Sequence, residues 1–223
     1  MNKRTLKDLL YEQGARIGKA VSSPKRLELL ELLAQSEKTV EALAGELSID
    51  IKLASAHLKA LKAARLVQSR RDGKYMVYRL SGDDVANLWV TLRLVAEEHL
   101  VELQMALQRM VSAPEKLARV NRSELLAQAR RGDVIVIDVR PQEEYEVAHL
   151  PYARSMPVAE IKKRLAALPT DKEIVAYCRG PFCMLSDEAV ALLSRKGYRV
   201  RKILDGVSEW QAAGMPLEKL KAS

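Results

Sequence analysis

Both cysteines of the chain lie in one stretch, residues 177–186 (YCRGPFCMLS). An apolar run, 174–177, precedes Cys178, and a helical pattern begins near Ser186. A strand that enters a helix through a short glycine-containing loop directs backbone N–H groups and the partial positive charge of the helix N-terminus into the loop. A thiol in that place is biased toward the thiolate, which is the nucleophilic form. The spacing therefore predicts a reactive cysteine at Cys178.

The rest of the loop consists of Arg179, Gly180, Pro181, Phe182 and Cys183. Arg179 either places a positive charge at the rim of the loop or points to solvent. Cys183 is either a resolving thiol, which would attack a sulfur carried by Cys178, or a small residue that fits the loop. The sequence leaves both alternatives open.

The elements around the loop alternate between strands and helices, which is typical of a parallel α/β sheet. Gly132 should end the first helix, and residues 143–149 form a short helix or a turn. Ligands of such sheets lie beyond the carboxyl ends of the strands, where Cys178 stands. The predicted strands are 133–139, 174–177 and 199–204, and the predicted helices are 123–130, 158–168 and 187–196.

The first half of the chain predicts a mainly helical domain with one hairpin. Asp72-Gly73 is a two-residue turn signal between the strand patterns 66–71 and 74–80. Leu53, Ala54, Leu58 and Leu61 can face the core, whereas Lys52, Ser55, Lys59 and Lys62 form a polar stripe. Two helices joined by a tight turn and followed by a basic hairpin indicate a winged helix-turn-helix. The predicted helices are 6–20, 25–35, 39–47, 51–63 and a long amphipathic helix over 83–111.

Positive charge is concentrated in this helix and hairpin. The net charge is +8 over 223 residues, but residues 52–79 hold eight basic residues against one acidic residue, Asp72. Such a concentration suits a polyanion. The basic residues are Lys52, Lys59, Lys62, Arg65, Arg70, Arg71, Lys74 and Arg79.

The length allows two domains, which we expect at residues 1–112 and 118–223 with a linker near 114–120. No apolar run is long enough for a membrane span, and the N-terminus has no signal-peptide pattern. Two cysteines separated by four residues do not form a secreted disulfide framework. We therefore expect a cytoplasmic protein that is not associated with a membrane.

Residues 55–61, 65–67, 71–74 and 78–80 together resemble the ArsR/SmtB family of winged-helix repressors over about residues 5–110. The resemblance implies a homodimer, formed through terminal helices, on a double-stranded DNA operator. Arg65 stands where the family usually has glycine, so a positive φ there would be strained. The expected DNA contacts are Lys52, Leu53, Ser55, His57 and Lys59 on the recognition helix, with Arg70, Arg71 and Lys74 on the wing.

Many members of that family sense metals, but their ligand sets are incomplete in this chain. No cysteine lies near residues 46–50, and the site on the last helix has only His99-x-x-Glu102, without its Asp-x-His partner. His99 is more simply a helix-face or interface residue, and His57 belongs to the recognition helix. We therefore expect neither a metal nor a cofactor.

The second half resembles a single rhodanese domain over about residues 118–220, through the segments 138–145, 149–157, 204–216 and the cysteine loop. The resemblance implies that Cys178 takes a sulfane sulfur from thiosulfate, a polysulfide or a persulfide and passes it to a thiol acceptor. Ala148 and Tyr152 replace glycines that are usual in the family. Asp138 and Arg140 are more simply a buried charge pair than catalysts, His149 a local hydrogen-bonding residue and Trp210 a core residue.

Cysteine phosphatases share a loop of this kind, but theirs is one residue longer and ends in an arginine. The position six residues after Cys178 is Met184, so no guanidinium is available there for an oxyanion. This difference excludes phosphate chemistry.

Three functions remain open from the sequence. The leading hypothesis is a DNA-binding regulator in which a persulfide on Cys178 senses or handles sulfane sulfur. The alternative is a thiosulfate or polysulfide sulfurtransferase whose DNA-binding half serves autoregulation. The third is a regulator whose rhodanese half is an inactive interaction module.

Overall fold

The computed structural model describes residues 2–111, 113–118 and 121–220. The chain divides into two compact units, Met1–Trp89 and Val90–Ser223. Ser112 and the last two residues of the predicted linker, Arg119 and Val120, lie outside the described residues. The predicted domain limits at 112 and 118 therefore stay a prediction.

The first unit contains α1 (Lys3–Val21), α2 (Pro24–Gln35), α3 (Val40–Glu46) and α4 (Ile51–Ala63). Polar side chains begin three of these helices, because Asn2, Thr39 and Asp50 each accept a hydrogen bond from a backbone N–H three residues later. Pro24 opens α2, where its missing N–H has no helical partner to lose. The buried leucines of α2, α3 and α4, together with Ala20 of α1, Val67 and Tyr78, form one core.

The three short strands of the first unit form an antiparallel sheet in the order β1-β3-β2: β1 (Lys38–Thr39), β2 (Val67–Asp72) and β3 (Tyr75–Leu80). Asp72 pairs with Tyr75, so the two-residue turn is Gly73-Lys74 and not the predicted Asp72-Gly73. Gly73 has φ +56 at the first central position, which is where a type II′ hairpin turn takes glycine.

The long helix predicted over 83–111 is two helices, α5 (Asp83–His99) and α6 (Val101–Met110). Leu100 between them is extended, with φ −108 and ψ 104. The side chain of Gln104 donates to the carbonyl oxygens of Glu97 and Glu98 at 2.8 and 3.3 Å. These bonds satisfy carbonyl groups that the end of α5 leaves free. The apolar spacing continues across the break, which is why the periodicity predicted a single helix.

The second unit is built on a parallel sheet in the order β5-β4-β6-β7, as the alternating pattern predicts. Gly132 ends the first helix after α6 in the left-handed conformation, φ +72. The predicted helix at 158–168 is α-helical only over Ile161–Arg164 and continues as 3₁₀ turns on both sides, a tightening that is common at the ends of short helices. The elements are α7 (Arg122–Arg131), β4 (Val134–Asp138), α8 (Gln142–Val147), β5 (Arg154–Ser155), α9 (Ile161–Arg164), β6 (Glu173–Tyr177), α10 (Leu185–Arg195), β7 (Val200–Lys202) and α11 (Val207–Ala212).

Both faces of this sheet are covered. Ile135 and Ile137 of β4 pack into one apolar cluster, whereas Val134 and Val136 pack into another on the opposite side. A strand buried on both faces requires the nearly continuous β-branched run that the sequence shows. Within the described ranges, no helix is long and apolar enough to cross a membrane.

Candidate functional site

Cys178 directly follows β6, a central strand that pairs with β4 on one side and with β7 on the other. The loop from Cys178 leads into α10, which begins at Leu185. Cys178 is 2% exposed, and both cysteines are free thiols. This is the strand, loop and helix arrangement that the sequence predicts around the candidate nucleophile.

The sulfur of Cys178 is surrounded by polar groups of its own loop. Its Sγ atom lies 3.3 Å from the Oγ atom of Ser186 and 3.3 Å from the carbonyl oxygen of Cys183. Burial raises the pKa of the Cys178 thiol, but hydrogen bonds from the side chains of Cys183 and Ser186 and from the backbone at Ser186 and Gly180 outweigh it and bring the pKa to about 7. A large share of Cys178 is therefore thiolate at neutral pH.

Cys183 has the opposite electrostatic character. Its hydrogen bond to Cys178, together with burial, raises the pKa of the Cys183 thiol far above its ordinary value. Cys183 is thus a thiol that donates to the Cys178 thiolate, which gives the two cysteines different chemical roles at neutral pH. The resolving role of Cys183 stays a prediction.

The Arg179 side chain is 14% exposed and does not point to solvent, one of the two alternatives left open by the sequence. Its guanidinium donates to both carboxylate oxygens of Glu144 on α8, at 2.9 and 2.6 Å. Glu144 is fully buried, so this is a bidentate ion pair that fastens the loop to the helix after β4. The partner could not be identified from spacing, because 35 positions separate the two residues.

Two glycines let backbone segments meet at the loop. A Cβ atom on Gly206 would lie 2.3 Å from the carbonyl oxygen of Arg179 and 2.5 Å from that of Cys178. Gly180 has φ +155, and a Cβ atom there would lie 3.1 Å from a carboxylate oxygen of Glu209. The loop therefore packs against the start of α11, a helix that the sequence interpretation did not include. Only the Asp205-Gly206 step and the glycine in the loop hinted at this close approach.

Asp138 and Arg140 form a buried ion pair, as the sequence predicted, with 2.6 Å between a carboxylate oxygen and Nη2. The hydroxyl of Tyr177, the last residue of β6, donates to the same carboxylate at 2.5 Å. His149 stacks on Tyr145, with its Nδ1 atom 2.8 Å from the Tyr145 carbonyl oxygen. These hydrogen bonds and ring contacts stabilise the strand ends that carry the loop.

In the first unit, the predicted DNA-contacting residues of α4 lie largely at the surface. Lys52, Leu53 and Lys59 are exposed, and Ser55 and His57 are partly buried. The buried face of α4 consists of Ala54, Leu58 and Leu61. The sequence suggested that Leu53 can face the core, but its side chain is 42% exposed. Leu53 lies about 100° around the helix from the buried Ala54.

The basic side chains of the wing interact with different partners. Arg70 pairs with Glu37 at 2.5 Å and with Asp72 at 3.0 Å. Arg71 donates to the Gly73 carbonyl oxygen at 3.0 Å, and Lys74 lies over the ring of Tyr75. Arg70 would therefore have to exchange its carboxylate partners for a phosphate.

His99 and Glu102, the only remnant of the metal pattern, stand on opposite sides of the break at Leu100. In residues 2–111, 113–118 and 121–220, no group of three or more histidine, cysteine, aspartate or glutamate side chains could hold a metal ion.

Comparisons with known proteins agree with this division of the chain. Residues 23–69 match the family of bacterial regulatory proteins described as the arsR family, and residues 121–213 match the rhodanese-like domain. The chain is 34% identical to a protein of Allochromatium vinosum named sulfurtransferase, over 43% of this chain and 90% of that protein. A solved winged helix-turn-helix fragment from Mycobacterium bovis, described as homodimeric, is 44% identical over 46% of this chain and 93% of the fragment, with a TM-score of 0.42.

One relative covers both halves. The chain is 42% identical to the HTH-type transcriptional regulator Rv0324 of Mycobacterium tuberculosis, over 96% of this chain and 93% of that protein. Together with the two matched domains, this similarity shows that the chain belongs to the ArsR-family transcriptional regulators that carry a C-terminal rhodanese domain.

Proposed function

We propose that this regulator is a cytoplasmic sensor of sulfane sulfur, which it takes up as a persulfide on Cys178. The observation that carries the proposal is the environment of the Cys178 sulfur. A buried thiol with a pKa of about 7, hydrogen-bonded to Cys183, Ser186 and backbone groups, is both nucleophilic and protected from bulk solvent. The same groups suit a second, terminal sulfur anion.

The sulfur transfer balances without a metal or another cofactor. The Cys178 thiolate attacks the outer sulfur of thiosulfate, a new S–S bond forms, and sulfite leaves with the electron pair of the broken S–S bond. A polysulfide reacts in the same way and leaves one sulfur shorter. A thiolate acceptor then attacks the terminal sulfur and regenerates the Cys178 thiolate.

The DNA-binding side of the proposal rests on α4 and on the wing. Lys52, Leu53, Ser55, His57 and Lys59 would meet base edges and phosphates in the major groove, and Arg70, Arg71 and Lys74 would lie along the backbone. A homodimer would place two copies of α4 in successive major grooves. Apolar side chains that are exposed in the single chain support the dimer: Leu6, Leu9, Leu10 and Tyr11 on α1, Leu94 and Val95 on α5, and Val101 and Met105 on α6.

Intact mass and DNA affinity, measured on the same samples, test the proposal. Treatment with sodium tetrasulfide should add sulfur to the wild type. It should also change, by about tenfold, the affinity of the protein for a DNA duplex that has been selected from a random pool. A tenfold change is in the usual range for two coupled sites. Without treatment, Cys178→Ser should bind the duplex with wild-type affinity. After treatment, neither its mass nor its DNA affinity should change. Unchanged affinity of the fully loaded wild type would exclude sensing.

A second candidate function is catalytic sulfur transfer, which the similarity to the Allochromatium sulfurtransferase favours. Repeated turnover of thiosulfate with cyanide, lost in Cys178→Ser, would support an enzyme. One sulfur per chain without turnover would favour the sensor. A wild type that gains no sulfur from any donor would indicate an inactive interaction module.

A further inference from the structure

Arg93 is a buried arginine on α5 that the chemistry at Cys178 does not use directly. It is 3% exposed and belongs, with Glu209 and the whole cysteine loop, to the second unit. One Nη atom pairs with Glu97 on the next turn of α5, and the other pairs with a carboxylate oxygen of Glu209 at 2.9 Å. A buried guanidinium held by two carboxylates has a defined position.

Glu209 connects this arginine to the cysteine loop. Its second carboxylate oxygen accepts a hydrogen bond from the N–H of Gly206 at 2.8 Å. The same carboxylate lies against Gly180, within 3.2 Å of the place where a Cβ atom would be. Arg93 also lies 6.0 Å from the ring centroid of Phe182, a second residue of the loop. Arg93 is therefore linked to the loop both through Glu209 and by direct contact with an aromatic ring.

We propose that Arg93 and Glu209 are positioning residues that hold the Gly180 side of the loop and pass a change at Cys178 to helix α5. The inference rests on the proposed persulfide function and names the route by which that function would reach the DNA-binding helices. A terminal sulfur needs space beside Ser186 and Gly180, so the loop shifts when sulfur is added. A cleft of about 310 Å³ between Arg93, Pro181 and Glu209 gives room for this shift.

Helix α5 connects a shift of the loop to the first unit. α5 runs without interruption from Asp83 to His99, and its first residues belong to the unit that contains α4 and the wing. A displacement of Arg93 therefore acts on the helix whose first residues belong to the first unit. Coupling of this kind requires different contacts in the loaded and unloaded states.

The chain offers a matched pair of substitutions, because both carboxylate partners of Arg93 are glutamates and only one of them touches the loop. Glu209→Gln keeps an oxygen for the Gly206 N–H but removes the charge that faces Arg93 and Gly180. Glu97→Gln removes the other charge without a contact to the loop. Arg93→Lys keeps the positive charge and loses the planar fork, and serves as a second test if Glu209→Gln folds poorly.

Two measurements on the full chain decide the inference. In the first, alkylation of Cys178 by iodoacetamide at pH 7 should slow about fivefold in Glu209→Gln, with its pH midpoint moved upward, because the loop N–H groups stabilise the thiolate less well. Glu97→Gln should follow the wild type. Equal rates and midpoints in all three proteins would overturn the positioning role, whether or not any sulfur is taken up.

In the second, hydrogen exchange of residues 83–99 is measured before and after sodium tetrasulfide, with sulfur stoichiometry fixed by mass. Loading should change exchange about fivefold in the wild type and Glu97→Gln and less than twofold in Glu209→Gln and Arg93→Lys. An equal change in Glu209→Gln at equal loading would overturn the route while the persulfide function stands. Loading without any change in the wild type would also overturn it, and a wild type that takes up no sulfur would overturn the function as well.

Discussion

The cysteine loop and the proposed DNA-binding face, which consists of α4 and the wing, are built in opposite ways. The loop is buried, and its charges are closely matched: Arg179 with Glu144, and Glu209 with Arg93. Helix α4 and the wing carry their positive charge on exposed side chains, of which Arg70 pairs with two carboxylates. A buried site depends on each charged partner, because an unpaired charge in a low dielectric is costly. An exposed basic face instead attracts DNA through its total positive charge. Single substitutions should therefore have large effects in one region and graded effects in the other.

The largest expected difference concerns two aspartates that each pair with an arginine. Asp138→Asn should lower the free energy of unfolding by about 3–5 kcal/mol, because it removes the carboxylate charge that pairs with the buried Arg140 guanidinium. Asp72→Asn, on the wing, should leave stability unchanged, since its pair with Arg70 is exposed. It should instead strengthen DNA binding about twofold at low salt, because it removes one negative charge from the wing and one of the two carboxylates that pair with Arg70, while the pair with Glu37 remains. Urea unfolding measures the stability of both variants, and DNA titration measures their affinity. Equal destabilisation by the two substitutions would contradict the comparison.

Two glycines provide the next test. Gly206→Ala should cost about 3 kcal/mol and abolish sulfur uptake, because the added methyl group collides with the carbonyl oxygens of Cys178 and Arg179. Gly73→Ala in the wing meets no atom within 4 Å and has only its positive φ to accommodate, so about 1 kcal/mol is expected. Thermal unfolding with an intact-mass assay distinguishes the two. Normal sulfur uptake by Gly206→Ala would show that the loop tolerates displacement.

The pH dependence of Cys178 tests the electrostatics of the buried site. The rate of alkylation should rise through a midpoint near pH 7, the pKa of the thiol in the loop. Cys183→Ala removes a hydrogen bond that lowers this pKa, so the midpoint should move upward and the rate at pH 7 should fall about tenfold. An unchanged midpoint would mean that Ser186 and the backbone N–H groups stabilise the thiolate without Cys183. DNA affinity should not change with this substitution, because the proposed DNA contacts lie on α4 and the wing.

The smallest effects should be alike in both regions. Arg65 has φ +61 and Tyr152 has φ +64, and both stand where the resemblances implied glycine. Arg65→Gly and Tyr152→Gly should each stabilise the chain by about 0.5–1 kcal/mol, since relief of left-handed strain exceeds the entropy that glycine loses on folding. Differential scanning calorimetry measures the shift. A loss of stability at either position would show that contacts of the larger side chain outweigh backbone strain.

Local spacing was enough to predict much of both regions. Pro24 at the start of α2, Asp50 as the cap of α4 and Gly132 at the end of α7 lie where the sequence placed them, because caps depend on neighbouring residues. Local spacing was insufficient where two backbone conformations fit the same residues. Gly73-Lys74 forms the turn one residue later than expected, and Leu100 interrupts a helix whose apolar pattern continues.

The sequence by itself determined the two folds, the place of Cys178 after a buried strand and the absence of an arginine at Met184, because these follow from residue type and periodicity. Only the tertiary structure decided which groups surround that cysteine. Glu144 reaches Arg179 across 35 positions, and Arg93 reaches Glu209 across 116. No local pattern encodes such pairs, because the sheet and the helices that pack on it bring together residues that are far apart in the chain.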